Sequence, residues 1–432
     1  MRKLCLILIM IISTAVLAAD KLSLQECIDL AMEKNLDIAI SQKEVQAYQS
    51  GILASYSGIL PNLSANVSSS IGSYAPNEYY DESGQKLTIP SQTTESYAAG
   101  VSYYQNIYDG GKWWNYIRRS KNQLNNVIIN SDYTRQMVLS NVTEKYYNVL
   151  KAQELLKVYE KSLENSREQL GKTREMHKIG QVAKKDLFKA QVREGNDRLA
   201  VIQQKSILKS TIAQLNVAIG QTPETNISVY EKDYHSPEIV ILENAVETAL
   251  KNNKTYNSLK LQQNTALINY KIAKADFYPA LSSSFSYNRN GTRFDDIYNN
   301  FDRSWTTYLS FRISYPIFNG FQRRTNIQQQ QLNYKSFDDQ IEKQRIDIEN
   351  QIQGLILELD TYREMITINE LNIESAQEDL RLAQEMYRLA SATLLEVLDA
   401  QVTLTTAQQQ LINTMYDAKI AEIKLAVAMG TL

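Results

Sequence analysis

The 432 residues are poor in the side chains that carry out chemistry. There are two cysteines (Cys5 and Cys27), two histidines (His177 and His235) and seven prolines. Cys5 falls in a segment expected to be removed, so Cys27 would remain alone, with no internal disulfide possible. Cys27 lies in an apolar helical pattern and reads as a core residue. The two histidines have no metal-site spacing, and no Gly-rich phosphate loop is present. "SILK" (206–209) fits Ser-x-x-Lys, but it lies inside a heptad-like helix without partner motifs and is read as chance. The expectation is a protein that is not an enzyme, with no cofactor and no catalytic or metal site. Energy for any transport would come from a partner.

Long apolar runs are also missing. Beyond residue 19 there is no stretch of 18 apolar residues, so no helix is expected to span a membrane. Any crossing must be made by strands, because an unpaired backbone in lipid is too costly otherwise. The formal charge is −2. It becomes −4 after loss of residues 1–19, with 44 cations against 48 acids, and this gives no reason to expect nucleic acid as a partner.

The chain opens with Arg2 and Lys3, an apolar stretch from Leu4 to Leu17, and Ala18-Ala19. That order predicts a secretory signal peptide over 1–19. Asp20, not Cys, follows the predicted cut, which offers no site for an N-terminal lipid.

Proline is absent from residues 112–222 and after Pro316. In both tracts apolar residues recur at spacings of three, four and seven, as in Val138, Val142, Tyr146 and Val149, or Ile348, Ile352, Leu355 and Leu359. This is a helical, coiled-coil-like pattern. Helices over about 112–178 and 322–389 would each be roughly 100 Å long at 1.5 Å per residue. Between these tracts the period changes to two. In "TTYLSFRISYPIFNG" (306–320), Leu309, Phe311 and Ile313 alternate with Ser310, Arg312 and Ser314. "PALSSSFSYNRNG" (279–291) behaves likewise, with Ser283 breaking the apolar face, and "PNLSANVSSSIG" (61–72) and "YAAGVSYYQNIYDGG" (97–111) follow more weakly. Four strands are predicted, at about 61–74, 97–108, 279–290 and 305–318. Tyrosine-rich loops follow the first strand of each pair, as an interfacial aromatic girdle would require. A soluble hairpin with an exposed apolar face would show the same alternation, so the strands alone leave both readings open.

The halves repeat. "LPNLSANVSSS" (60–70) matches "YPALSSSFSYN" (278–288) at an offset of 218. "NIYDGG" matches "PIFNGF", "REMHKIGQVAKKDLFKAQV" (174–192) matches "QEMYRLASATLLEVLDAQV" (384–402), and "AIG" (218–220) matches "AMG" (428–430), all at 210. The first repeat is expected over 20–220, with a helical hairpin at about 112–219. A linker at 221–236 leads to the second repeat over 237–432, with a hairpin at about 322–430. The hairpins should turn near His177–Val182 and Arg388–Ala392. Gly180 tolerates the left-handed conformation that ends a helix, but its counterpart Ala390 does not, so the second turn is expected to differ in detail. Four strands cannot close a barrel, since small barrels need about eight, and an open edge cannot be left in lipid. An oligomer is therefore implied, and three chains would supply 12 strands.

With "YDGGK" and "FNGFQ" at the strand-to-helix joints, "P-x-L-S" opening the first and third strands, "EVLDAQ" after the second turn and the terminal "AMG", the sequence resembles the TolC family of outer-membrane efflux and secretion ducts. The resemblance implies a mostly α fold of long antiparallel helical hairpins with four strands per chain. Its homotrimer would form a 12-stranded outer-membrane β-barrel continuous with a periplasmic α-helical barrel. It implies a passive exit duct of a tripartite efflux or type I secretion system, working with a periplasmic adaptor and an inner-membrane pump of RND, ABC or MFS type. It also implies a gate at the helix turns, with outer-membrane lipid around the barrel. On this resemblance Glu396 and Asp399 line an acidic aperture, while Asp186 and Tyr387 belong to a network that holds the mouth shut. The network's arginine position is Ala392 here, and Lys184 or Lys185 is a candidate substitute. Lys178, Ile179, Gly180, Leu389, Ala390 and Ser391 are the expected adaptor contacts. Read without the resemblance, Glu396, Asp399, Asp186 and Lys189 are solvated helix charges, and an exported structural or adhesive coiled-coil protein without a conduit is the alternative.

Overall fold

A computed structural model describes residues 20–230, 239–299 and 301–432. The predicted signal segment, His235 and most of the second half of the linker lie outside the described residues. In chain order the elements are β1 (Asp20–Leu22), α1 (Leu24–Lys34), α2 (Leu36–Ser55), β2 (Asn62–Tyr74), β3 (Asn77–Tyr80), β4 (Lys86–Ile89) and β5 (Gln92–Tyr108). The first hairpin follows as α3 (Lys112–Lys178) and α4 (Lys184–Ala218). Then come β6 (Ile227–Val229), α5 (Leu242–Asn252), α6 (Lys254–Ala275), β7 (Ala280–Gly291), α7 (Asp295–Tyr298) and β8 (Trp305–Ser314). The second hairpin is α8 (Gln322–Arg388) and α9 (Leu394–Met429). β8 stops four residues short of the expected 318, because Pro316 has no N–H to donate to a ladder. Among the described residues no helix is long and apolar enough to cross a membrane.

Each repeat contains the same broken helix. Asn35 separates α1 from α2 with extended backbone; its Oδ1 accepts from Asp37 N at 2.9 Å and its Nδ2 donates to Ala218 O at 3.0 Å. Asn253 does the same between α5 and α6, accepting from Tyr256 N and donating to Ala428 O, each at 3.0 Å. One side chain thus caps a new helix and satisfies a carbonyl at the end of another. The glycine two residues beyond that carbonyl has no room for a side chain. A Cβ on Gly220 (φ +77°) would stand 2.7 Å from Lys34 C, and one on Gly430 (φ +72°) would stand 2.6 Å from Asn252 C. This explains why "AIG" and "AMG" both end in glycine.

The described chain divides into two compact units, and neither is a repeat. One holds Lys43–Ile129 and Ser258–Glu342; the other holds the described residues of Met1–Gln42, Asn130–Asn257 and Lys343–Leu432. Each unit draws on both halves, because helices from the two repeats pack side by side.

The first of these units carries an antiparallel sheet in the order β2-β5-β7-β8, in which β2 and β8 are edges. The register puts Leu63 opposite Tyr103, Val67 opposite Ala99, Tyr103 opposite Phe285, and Phe285 opposite Leu309. One face is therefore apolar, and Leu63, Val67, Ile71, Leu309, Phe311 and Ile313 stand exposed on it. The other face carries Ser64 paired with Ser102 through their hydroxyls at 2.7 Å and Ser284 paired with Ser310 at 2.8 Å. β2 and β5 continue to the rung Tyr74–Gln92, past the last rung joining β5 to β7, Tyr97–Gly291, and the additional hairpin β3–β4 follows β2. At the joint into α3, Asp109 accepts from Gly111 N at 3.1 Å and Trp113 N at 3.0 Å. At the joint into α8, Arg323 donates to the carbonyls of Asp276 (3.0 Å), Ile317 (3.3 Å) and Pro316, and lies over the Phe277 ring.

The second unit packs parts of α3, α4, α8 and α9 with α1 and the short parallel pair β1–β6. Its core includes Cys27, Val142, Tyr146, Val149, Leu215, Ile219 and Val229, with Tyr416 from α9. The Tyr146 hydroxyl donates to Tyr230 O at 2.5 Å beside β6. Between α3 and α9, Lys151 pairs with Asp417 at 2.8 Å. Deeper along the bundle Arg193 pairs with Asp197 at 3.0 Å and donates to Ser162 Oγ at 3.3 Å, to which Thr405 also donates. Two apolar stripes remain uncovered: Phe188, Val192, Leu199 and Ile202 on α4, and Leu357, Ile368, Leu371 and Leu382 on α8.

Candidate functional site at the two helix turns

Helix α3 ends in a Schellman arrangement: Gln181 N donates to Met176 O at 2.9 Å and Gly180 N to His177 O at 3.0 Å, with Gly180 at φ +77°. The second turn repeats it. Ser391 N donates to Met386 O at 2.9 Å and Ala390 N to Tyr387 O at 3.1 Å, with Ala390 at φ +57°. The expected difference between the turns is thus corrected: alanine adopts the conformation its glycine counterpart uses. Left-handed backbone costs a non-glycine residue about 1–2 kcal/mol. The Schellman bonds, and the Ser391 hydroxyl donating to the same Met386 carbonyl at 3.0 Å, hold Ala390 there.

The turns differ one step later, where the return helices start. Thr393 caps α9 in a full capping box: Glu396 N donates to Thr393 Oγ1 at 3.4 Å, while Glu396 Oε1 accepts from Thr393 N at 3.1 Å and Oγ1 at 2.8 Å. Those donors hold the Glu396 carboxyl below its ordinary range. In the first copy the cap position is Ala183, which has no side-chain bond to offer. Asp186, the counterpart of Glu396, is consequently free of a cap.

Asp186 lies close enough to Tyr387 for its charge to act on the phenol. The Tyr387 ring packs against Leu394 and Leu398 on one side and Leu380 and Val397 on the other. Its hydroxyl lies 3.9 Å from Met176 Sδ. Burial first, then the negative charge of Asp186, push the Tyr387 pKa up, and a hydrogen bond with the buried Thr173 opposes them. Glu396 and Asp399 lie one turn apart on α9, both exposed, and among the described residues neither carboxylate has a cationic partner. Lys184 turns toward the Phe188 ring, its Nζ 5.6 Å from the centroid, and Ala392 is half-buried.

The six turn residues are distributed as follows. Ile179 and Leu389 project, with about 70% of each exposed. Lys178 pairs with Glu175 at 2.7 Å. Gly180, Ala390 and Ser391 make the turns. His177 Nδ1 is 3.1 Å from Val182 O, and because a carbonyl only accepts, that nitrogen carries the proton. Beside the turns lies a groove of about 600 Å³ lined by Gln169, Lys172, Met176, Arg381, Gln384, Glu385, Tyr387, Arg388 and Val397. Arg381 bridges Glu378 (2.6 Å) and Glu385 (2.8 Å) along it. The capping box was readable in "TLLE", a Thr three residues before Glu, but sequence reasoning assigned Glu396 to the aperture alone.

Residues 27–221 and 245–431 match the model of the family described as Outer membrane efflux protein. The chain is 25% identical over 374 residues to the outer membrane protein TolC of Escherichia coli K12, covering 82% of this chain and 72% of that protein. It is 23% identical over 424 residues to the toluene efflux pump outer membrane protein TtgC of Pseudomonas putida, covering 94% and 83%. The fold superposes on the CmeC outer membrane channel of Campylobacter jejuni with a TM-score of 0.82 at 18% identity, covering 94% of this chain and 85% of that one. Duplicated hairpins, a four-stranded sheet with one apolar face, and a family match over both repeats agree: the chain belongs to the TolC family of outer membrane efflux proteins.

Proposed function

We propose that this outer-membrane efflux channel works as a homotrimer whose three sheets join into one 12-stranded barrel, with the helical hairpins forming a periplasmic α-barrel below it. The observation that carries the reading is the sheet itself: four strands, unpaired at both edges, apolar on one face and hydroxyl-bearing on the other. An edge in lipid leaves a row of backbone groups without partners, and pairing β8 of one copy with β2 of the next removes every edge. The uncovered stripes of α4 and α8 suit the same head-to-tail contact, repeated until it closes a ring. A non-conduit coiled-coil protein has no use for such a sheet.

In this reading the helix turns are the periplasmic gate. Asp186 and Tyr387 help hold it shut, and Asp399 lines the aperture with Glu396, whose carboxylate also caps α9. Three-fold repetition makes a ring of carboxylates that favours cations. A periplasmic adaptor, meeting Ile179, Leu389 and their neighbours, would shift the turns toward an open population, and an inner-membrane pump of RND, ABC or MFS type would supply the energy. The duct conducts passively, without catalysis. The test is single-channel recording of the purified protein in a planar bilayer. A small cation-selective conductance that loses selectivity in Glu396→Gln/Asp399→Asn supports the reading; a folded oligomer without conductance defeats it.

A further inference from the structure

Two charged residues fall on the apolar face of the sheet: Glu95, opposite Ile71 and bonded by the Tyr97 hydroxyl at 3.1 Å, and Arg289. Arg289 pairs with Ala99 on one side and Trp305 on the other, so it shares a face with Val101 and Tyr287. A guanidinium there would face hydrocarbon, yet Arg289 is 2% exposed. The segment between β7 and β8 folds back over it. Arg289 Nη2 donates to Asp296 O at 2.8 Å and Asn299 O at 2.5 Å, and the guanidinium lies 4.5 Å from the Phe301 ring centroid. Phe294 meets Tyr97 edge-on at 5.7 Å, on that same face, and Ile297 of α7 is buried. This segment therefore lies along the apolar face and does not extend away from the sheet, whereas β2 and β5 run on past it. Phe294, Tyr298 and Phe301 stay more than half exposed, and the side chains of Arg293 and Arg303 are 76% and 80% exposed. Arg293 and Arg303 pair with Asp295 (3.1 Å) and Asp302 (3.5 Å) within the segment, so it is the exposed aromatic rings, continuous with a lipid-facing surface, that suit the polar boundary of a bilayer.

We propose that the β7–β8 segment is a membrane-contact surface seated in the outer-leaflet boundary, with Phe294, Tyr298 and Phe301 against lipid and Arg289 as the positioning residue that holds it down. The proposal rests on the reading of the sheet as part of a membrane barrel. It separates the two hairpins by environment: the β3–β4 hairpin is in water and the β7–β8 segment is in lipid.

Nitroxide labels test it in the full chain, reconstituted into vesicles of phosphatidylethanolamine and phosphatidylglycerol. Cys27 is fully buried and its thiol is pushed up to about 12, so it stays unlabelled. Labels are placed at Tyr298→Cys, at Phe311→Cys as the lipid reference and at Tyr80→Cys as the water reference. Each is read by the ratio of its collisions with oxygen to those with a water-soluble nickel chelate. The ratio at 298 should exceed that at 80 several-fold and fall back toward it when Arg289→Ala is added. A label at 298 that meets the chelate as freely as the one at 80, while 311 reads as lipid, overturns the proposal. A lipid reading at 298 that Arg289→Ala leaves unchanged overturns the role of Arg289. If 311 also reads as water, the barrel reading fails and takes this proposal with it.

Discussion

Asn253 donates to the carbonyl of Ala428 at 3.0 Å, the bond that Asn35 makes to Ala218 in the first repeat. Asn253→Ala should leave that carbonyl short of a partner and uncap α6 in one step. A loss of about 1–2 kcal/mol is expected. Asn35→Ala should cost a similar amount, and the two losses should add, since the sites share no partner. Thermal unfolding in detergent, followed by helical circular dichroism, measures both. Gly430→Ala should cost more than either, because it adds a backbone clash to the strain of φ +72°.

Ala390→Gly should stabilise the protein by about 1 kcal/mol, and Gly180→Ala should destabilise it by a similar amount, through relief and creation of left-handed strain. A melting temperature that moves the same way in both variants would refute the matched-turn geometry.

Thr393→Ala removes the cap of α9 and should cost about 1 kcal/mol, whereas Ala183→Thr should gain a cap that α4 lacks. The box is also pH-dependent. The Glu396 carboxyl titrates below its ordinary value of 4.5 in the folded chain, so its contribution is complete above that pH and is lost as pH falls through the lower folded value. Acid unfolding of Glu396→Gln should lack that part of the pH dependence, while its stability at pH 7 should be reduced.

In the proposed gate, Tyr387→Phe and Asp186→Asn should each raise single-channel conductance by weakening the same interaction. Because the two groups interact, the double variant should fall short of the sum of the singles, by about 0.5 kcal/mol or more when expressed as a shift in the closed–open equilibrium. Strict additivity would separate the two residues.

The long helices and four main strands were legible because each had enough residues to display a period. Val138, Val142, Tyr146 and Val149 mark one face of a helix, and Leu309, Phe311 and Ile313 one face of a strand. Other features had no period to show. β1 and β6 have three residues each and are fixed by pairing across 207 positions, Asp20 to Ile227. Asn35 and Asn253 each sit within otherwise helical sequence, and what breaks the helix is a carbonyl far along the chain. Ala390 defeated local reasoning more directly: its intrinsic preference was read correctly, but a closed set of hydrogen bonds outweighed it. At the turns Asp186 and Tyr387 were named through resemblance, and the structure adds that the charge of Asp186 acts on the Tyr387 phenol. It also gives Glu396 a capping role that only the neighbouring Thr393 discloses.

In the proposed barrel the hydroxyl-bearing face of the sheet is the inner wall, with a consequence for what would pass it. Along its strands Ser64, Ser68, Ser102, Ser284, Ser286 and Ser310 recur, and Arg312 is the one formally charged residue among the strand positions on that side. A serine surface gives a passing solute hydrogen bonds much like those it already has with water. Exchanging one set for the other is therefore nearly isoenergetic, and the wall holds no deep wells along the route. Transit through the proposed barrel would then resemble diffusion in a wetted capillary, indifferent to the identity of the cargo and slowed mainly by its width.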